Sequence, residues 1–369
     1  MNRLFRWDQM GLFLLALAAG ILPFAVPEVC AAALREGLTL CSGPLLLSLF
    51  PFLVVSRLLV QCPESDLLAL PFRLAAWGIG IRTPCAARVL CIGFLGGFAP
   101  AASAAAQAVR TGQLTAEEAD ALLPACICSG PSFVVLTVGQ SLLGSAELGV
   151  LLFASQITAN YLTAALLNRF AGVRSAKPGS AVPAFPAPPR LDEILADAAI
   201  TYCKLCGFIL FFRMLAAGAG ALLPAGAGTL CSILLEVCSG CDLASRTGRW
   251  GSLLCCAALS VQGLSVLLQV RTICPPEMTL RPLYRSRLLH LPLSLALFYL
   301  LLPGGEADVF STLSARVLLM RRVPPDCALL VFAVCCMAAC TLRSGIRQVE
   351  QKQMARNAGG CCINSKTLL

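Results

Sequence analysis

The chain has 369 residues, of which 58% are hydrophobic and only 13% are charged, and its formal net charge is +9. Soluble domains contain about 25% charged residues, so this composition excludes an ordinary water-facing surface. Lysine and arginine are spread between apolar runs, as at the helix ends and cytoplasmic loops of membrane proteins, and the positive charge therefore does not predict nucleic-acid binding. We predict an all-α fold, a polytopic transmembrane helical bundle embedded in a lipid bilayer.

Apolar runs follow one another along the chain, and about eight to ten of them approach the ~20 residues that a membrane-spanning helix needs. They lie near 10–33, 38–62, 84–109, 129–145, 147–169, 196–218, 222–241, 250–273, 288–303 and 326–342. The runs at 84–109 and 222–241 have Gly, Pro and other small residues in their middles, which predicts broken or re-entrant helices. The first run follows Arg3 and Arg6 like a signal peptide, but since the rest of the chain is also apolar we favour an uncleaved helix.

The 21 cysteines invite a metal or disulfide interpretation, which the sequence does not favour. The chain has one histidine, His290, and most cysteines lie inside apolar runs, where cysteine behaves as a small hydrophobic residue. Cys203 with Cys206 and Cys238 with Cys241 have the CxxC spacing, but no second pair follows at zinc-ribbon spacing. We expect no metal and no cofactor.

A Pro- and Ala-rich stretch at 171–191 divides the chain into two halves and has the composition of an aqueous linker. Basic residues cluster around it and recur in the tail, so we place both in the cytoplasm. The predicted organisation is an N-terminal membrane helix (1–37), a first repeat (38–170), the linker (171–191), a second repeat (192–304), a C-terminal membrane helix (305–343) and a basic tail (344–369).

The two halves show three matches in the same order. Phe52–Leu59 can be laid over Phe208–Leu215, and Gly96–Pro100 follows the first stretch as Gln262–Ser265 follows the second. Each is followed by a polar stretch that begins with threonine. The order favours a duplicated unit with interrupted helices, which is typical of transporters whose site lies between the repeats.

Arg57 and Arg213 occupy equivalent places in these halves, each ending or interrupting an apolar run. Charges within a membrane are costly and are usually partnered or functional. If they face inward, the two guanidinium groups can each bind a carboxylate through two N–H donors. Snorkelling of the side chains to the lipid headgroups explains the two residues as well.

Glycines and a helix start form a second group of candidates. Gly97 and Gly263 lie in mid-run, where glycine permits an unwound backbone that lines a cavity, although ordinary small-residue packing is the alternative. Ser129, Gly130 and Pro131 open an apolar helix, with serine as a good N-cap and proline in the first turn. At membrane depth, such a helix start would also suit a carboxylate.

Polar residues of the second half complete the candidate site. Glu236 is the lone acid in its run, with Ser239 nearby, and it can neutralise an arginine or carry a coupling proton. Gln262, Ser265 and Gln269 lie near one helical face and either line a path or form a polar seam between helices.

Thr115 and Glu118 have the spacing of a capping box. This pattern predicts the start of a short loop helix with a structural role.

Six stretches carry a resemblance to a known family. They are LFPFLVVSRLL (49–59), GGFAPAASA (96–104), GQLTAEEADALLPACICSGPSFVV (112–135), LLEVCSGCDLAS (234–245), VQGLSVLLQV (261–270) and RPLYRSRLLH (281–290). The chain resembles the gate-domain, or nucleoside-recognition, membrane proteins, and within them the sporulation integral membrane protein family of the YlbJ type. The resemblance implies two gate-like repeats and a role in endospore formation, with passage of dipicolinic acid toward the forespore across the outer forespore membrane.

The sequence departs from that family at the first repeat. The family usually has Ser-Gly-Tyr-Pro-x-Gly-Ala-Lys where this chain has Gly96–Ser103, and two asparagines where this chain has Ile127 and Cys128. A lysine and two amides are therefore missing from the polar part of this repeat.

Three classes of function follow from these features. An intramembrane enzyme is disfavoured, because no H-E-x-x-H and no motif that pairs a nucleophile with a base is present. The repeats, interrupted helices and paired arginines favour a permease for a small organic anion, a dicarboxylate, over a non-transporting scaffold. The expected protein partners are other sporulation membrane proteins or further copies of the chain.

Overall fold

The computed structural model describes residues 2–61, 66–172 and 190–302, and every regular element in these ranges is a helix. The all-α prediction is therefore confirmed for this part of the chain. Most of the predicted linker, the predicted C-terminal membrane helix (305–343) and the basic tail (344–369) lie outside the described residues.

The N-terminal part is not the single helix that the sequence predicted for 1–37. Its axis bends by 110° between Phe13–Ala25 and Pro27–Gly43. Proline lacks the N–H of a helical turn and disfavours helical backbone in the preceding residue, and Val26 accordingly has φ −139° and ψ 63°. The elements are α1 (Asn2–Ala25), α2 (Pro27–Leu40), a π-helical turn (Cys41–Leu45) and α3 (Leu46–Gln61).

The rest of the first half contains short helices followed by one long helix. The capping box is confirmed at the start of α7, where the Thr115 hydroxyl accepts a hydrogen bond from Glu118 N and the Glu118 carboxylate accepts one from Thr115 N. That helix is largely buried and packs against α6 and α8, so it belongs to the core. The elements are α4 (Leu70–Gly78), α5 (Pro84–Gly96), α6 (Phe98–Arg110), α7 (Ala116–Cys126), a π-helix (Ser132–Leu142) and α8 (Ala146–Ala171).

The second half begins with the longest helix of the described residues, and its last helix packs against α8 of the first half. The elements are α9 (Leu191–Leu222), α10 (Ala225–Leu235), α11 (Val237–Ser245), a short 3-10 helix (Gly248–Trp250), α12 (Gly251–Val261), α13 (Gly263–Ile273) and α14 (Arg281–Leu301).

Each half places two interrupted helices before a closing helix. In the first half the interruptions lie at Gly97, between α5 and α6, and at 127–131, between α7 and the π-helix. In the second half they lie at Glu236, between α10 and α11, and at Gln262, between α12 and α13. The breaks predicted in the runs at 84–109 and 222–241 are thus confirmed. Chain order pairs Gly97 with Glu236, whereas the overlay of the two sequences paired Gly97 with the Gln262 stretch.

Apolar side chains on the surface and polar ones inside give the described part the character of a membrane protein. Phe24, Phe170 and Leu288 are exposed, whereas Gln156 and Asn160 are buried. Among the described residues, three helical stretches are long and apolar enough to cross a bilayer: Ala146–Ala171, Leu191–Leu222 and Gly248–Ile273. A fourth is present if the bent pair of α1 and α2 is one span. The chain is an integral membrane protein of helical type; the eight to ten segments stay a prediction.

Candidate functional site: two helix crossings and a basic cavity

The two interruptions of the first half pass over each other at glycines. Gly97 has φ +81° and ψ −162°, a backbone conformation open essentially only to glycine. A Cβ atom on Gly97 would lie 2.6 Å from the backbone N of Gly130, so the backbones of the two segments are in direct contact. We call Gly96–Phe98 against Ile127–Pro131 the first crossing.

The two interruptions of the second half meet at a carboxylate. Glu236 is buried and caps α11, because its two carboxylate oxygens accept hydrogen bonds from Cys238 N (2.8 Å) and Ser239 N (2.7 Å). Gly263, at φ +70°, passes so close that a Cβ atom would lie 3.0 Å from Glu236 N. We call Leu235–Val237 against Val261–Gly263 the second crossing. Glu236 and Ser239 are thus brought together, but through the backbone N–H of Ser239.

A hydrogen bond joins the two crossings. Gln262, itself at φ +65°, donates from Nε2 to Leu259 O (2.6 Å) and to Ser129 Oγ (3.4 Å). The prediction that Ser129 is an N-cap is wrong, since the π-helix has Pro131 at its cap position and no side-chain cap hydrogen bond. The hydroxyl of Ser129 accepts from the other half of the molecule instead.

Arg287 is buried and lies between the same two halves. Its Nη1 donates to Ser260 O (3.4 Å), and its Nη2 donates to Ile127 O and to Asn160 Oδ1 (both 3.3 Å). Ser260 and Ile127 stand at the C-terminal ends of α12 and α7. Each helix end carries about half a negative charge, so two of them offset about one guanidinium charge. No carboxylate of the described residues pairs with Arg287.

A buried polar network surrounds this arginine. Gln156 on α8 donates to Ser260 Oγ (2.9 Å), and His290 Nε2 lies 3.2 Å from the carbonyl oxygen of Gln156. Ser294 and Ser260 share a hydrogen bond between their hydroxyl groups. This network was not predicted from the sequence. A signal was present, because Arg287, His290 and Ser294 follow the i, i+3, i+7 spacing of one helical face in an apolar run.

Arg57 points into a cavity of about 120 Å³ between α3, α6, α9 and α13. Its Nε donates to Ser103 Oγ (3.2 Å), its Nη1 to Asp197 Oδ2 (2.6 Å) and its Nη2 to Thr201 Oγ1 (3.2 Å). Only 7% of the Arg57 side chain is exposed, so it lies against protein atoms rather than on the outer surface. The cavity is lined by Arg57, Ser103, Ala106, Arg110, Asp197, Ile200, Thr201, Lys204, Thr272 and Ile273.

Arg213 does not share this cavity. Its Nη2 pairs with Glu36 Oε2 on α2 at 2.7 Å, and it is absent from the cavity lining. On α9 it follows Thr201 by twelve residues, or about 18 Å along the helix axis. The structure therefore does not place the two arginines around one dicarboxylate.

Ser265 also lies away from the cavity lining. It is buried in α13 and its hydroxyl accepts a hydrogen bond from Gln269 Nε2 one turn later (2.8 Å). This contact supports the polar-seam interpretation for Ser265, whereas Gln262 joins the crossings.

Six of the ten predicted residues meet at the crossings, and Ser239 joins them through its backbone. They are Gly97, Ser129, Gly130, Glu236, Gln262 and Gly263. Comparisons of the chain with protein-family models, curated proteins and solved structures give no match.

Proposed function

We propose that the chain is a membrane permease for a small organic dianion, and that the cavity at Arg57 binds it. The observation that carries this proposal is the charge of the lining: Arg57, Arg110 and Lys204 contribute three positive charges against the single negative charge of Asp197. A net charge of about +2 is offset by one dicarboxylate, and guanidinium groups bind carboxylates through paired N–H donors.

The position of the cavity is consistent with a path between the crossings and the aqueous phase. Arg110 and Lys204 are exposed, so the cavity opens to the surface near the end of α6 and the start of α9. Ser103 lies on α6 six residues after Gly97, or about 9 Å from the first crossing. The starts of α6, the π-helix and α13 have no side-chain cap, and their N–H groups add positive potential at the crossings.

The resemblance of the sequence to the gate-domain membrane proteins supports a more specific proposal. It implies membership of the gate-domain sporulation family and suggests that the dianion is dipicolinate, moved across the outer forespore membrane during endospore formation. Dipicolinate carries two carboxylates, which matches the charge of the lining. The two halves act in this proposal as gate-like repeats.

Uptake of labelled dipicolinate into proteoliposomes that contain the purified chain tests the proposal. We expect Arg57→Gln to lower uptake roughly tenfold or more, because charge-assisted hydrogen bonds contribute about 1.5–3 kcal/mol. Arg57→Lys keeps the charge but loses the forked geometry, so its uptake should fall less.

Arg246→Gln is the matched control, since Arg246 pairs with Asp242 on an exposed helix face. Its uptake should equal that of the wild type. Arg213→Gln tests whether the two arginines act together. It should lower uptake as much as Arg57→Gln does only if both arginines bind the same anion. Normal uptake by Arg57→Gln, or no uptake by the folded wild-type chain, would refute the proposal.

A further inference from the structure

The contact between Arg57 and Asp197 is unequal in two respects. Asp197 uses one oxygen, Oδ2, so the pair lacks the forked geometry of two parallel hydrogen bonds. The Asp197 side chain is 55% exposed, whereas that of Arg57 is 7% exposed. The carboxylate therefore remains largely hydrated, and solvent screening weakens the ion pair that its departure would break.

Arg57 has donors to spare for a second carboxylate. A guanidinium group has five N–H donors, and three hydrogen bonds to Ser103, Asp197 and Thr201 are present. Thr201 holds its own place without Asp197 Oδ2, because its hydroxyl donates to the backbone oxygen of Asp197 (2.8 Å). Departure of the Asp197 carboxylate would leave the rest of the Arg57 contacts intact.

We propose that Asp197 is an internal competitor of the transported anion: its carboxylate holds Arg57 when no substrate is bound, and a substrate carboxylate displaces it. The inference rests on the proposed function and adds a specificity device to the same cavity. A dicarboxylate can bind Arg57 with two parallel N–H···O bonds, which are stronger than the single bond that Asp197 makes. An anion with a weaker, non-forked acceptor would not displace Asp197.

After displacement Asp197 has cations nearby. Asp197, Thr201 and Lys204 lie at i, i+4 and i+7 on one face of α9, and Lys204 also lines the cavity. The released carboxylate therefore stays in a positively charged, hydrated region.

Titration calorimetry of the full chain in detergent with dipicolinate tests the inference. We expect Asp197→Asn, which keeps the side-chain shape, to lower the Kd roughly threefold to tenfold. Glu36→Gln is the matched control, because Glu36 is 64% exposed and pairs with Arg213 at 2.7 Å, outside the cavity. Its Kd should stay within about twofold of the wild type.

A double-mutant cycle separates competition from a general change of charge. Asp197→Asn in an Arg57→Gln background should no longer tighten binding, since the shared partner is gone. An equal gain in both backgrounds, or no gain with Asp197→Asn while the wild type binds, overturns the inference alone. If neither the wild type nor any variant binds dipicolinate, and the variants have the melting temperature of the wild type and are therefore folded, the proposed function is overturned as well.

Discussion

At the first crossing, Gly97 and Gly130 meet backbone to backbone, whereas at the second crossing a buried carboxylate, Glu236, caps one helix while Gly263 passes over it. A helix that breaks inside a membrane leaves backbone N–H groups that lipid cannot satisfy. At the second crossing the Glu236 carboxylate accepts hydrogen bonds from two such N–H groups, whereas the starts of α6 and the π-helix at the first crossing have no side-chain cap. The polar character of the paired breaks is therefore concentrated in the second half.

The largest effect is expected from Gly97→Ala. A Cβ atom there needs a backbone conformation that costs about 1–3 kcal/mol, and it would lie 2.6 Å from Gly130 N, which adds about 1–3 kcal/mol of overpacking. The free energy of unfolding, measured by reversible denaturation in mixed micelles, should fall by about 2–6 kcal/mol.

Gly144→Ala is the control for this measurement. Gly144 also has positive φ (+74°), but nothing lies within 4 Å of its added Cβ atom. Gly144→Ala should lower the free energy of unfolding by about 1 kcal/mol, the cost of the backbone conformation alone. Gly263→Ala, with a 3.0 Å approach to Glu236 N, should fall between the two. Equal losses at Gly97 and Gly144 would show that the first crossing is not held by close contact.

Arg287→Gln should have the next largest effect, because Arg287 spans both halves. Glutamine is shorter and uncharged, so the carbonyl oxygens of Ile127 and Ser260 lose a charged donor at two helix ends. Ile127 O keeps the hydrogen bond from Asn160 Nδ2 (3.2 Å), but hydrogen bonds from a charged group contribute about 1.5–3 kcal/mol, and we expect a loss of about 2–3 kcal/mol in the free energy of unfolding. The exposed residue Arg246 provides the control, since Arg246→Gln should lose less than about 0.5 kcal/mol. Similar losses at the two positions would contradict a bridging role for Arg287.

Local features of the fold were predictable from the sequence. The break at Gly97 follows from small residues in an apolar run, and the capping box follows from the spacing of Thr115 and Glu118. A break was also predicted in the run at 222–241, but the small residues there lie inside α10 and α11 and did not give its position at Glu236. The bend at Pro27 also has a local cause, but it was not predicted because the apolar run continues through it. In each case the deciding interaction lies within about one helical turn, where sequence spacing gives the geometry.

The partners of the charged residues were not predictable from the sequence. Arg57 pairs with a residue 140 positions away, Arg213 with one 177 positions away, and Arg287 contacts Asn160 across 127 positions. Hydropathy and spacing contain no information about such contacts. Equivalent placement therefore suggested that Arg57 and Arg213 act as a pair, whereas packing of α9 against both α2 and α3 separates them.

Glu236 gives the smallest and most selective test of the two crossings. Its carboxylate supplies two acceptors to the start of α11, and an amide side chain of the same shape supplies one. N-cap residues contribute about 0.5–2 kcal/mol, so Glu236→Gln should lower the free energy of unfolding by about 1 kcal/mol and Glu236→Ala by about 2 kcal/mol. Ser145→Ala, which removes a neutral cap at the start of α8, measures the contribution of an uncharged side chain. Two results together would contradict a role for charge at the second crossing. In the first, Glu236→Gln lowers the free energy of unfolding no more than Ser145→Ala does. In the second, Glu236→Ala lowers it no more than Glu236→Gln does. A graded loss from Ser145→Ala through Glu236→Gln to Glu236→Ala would locate the difference in the Glu236 carboxylate.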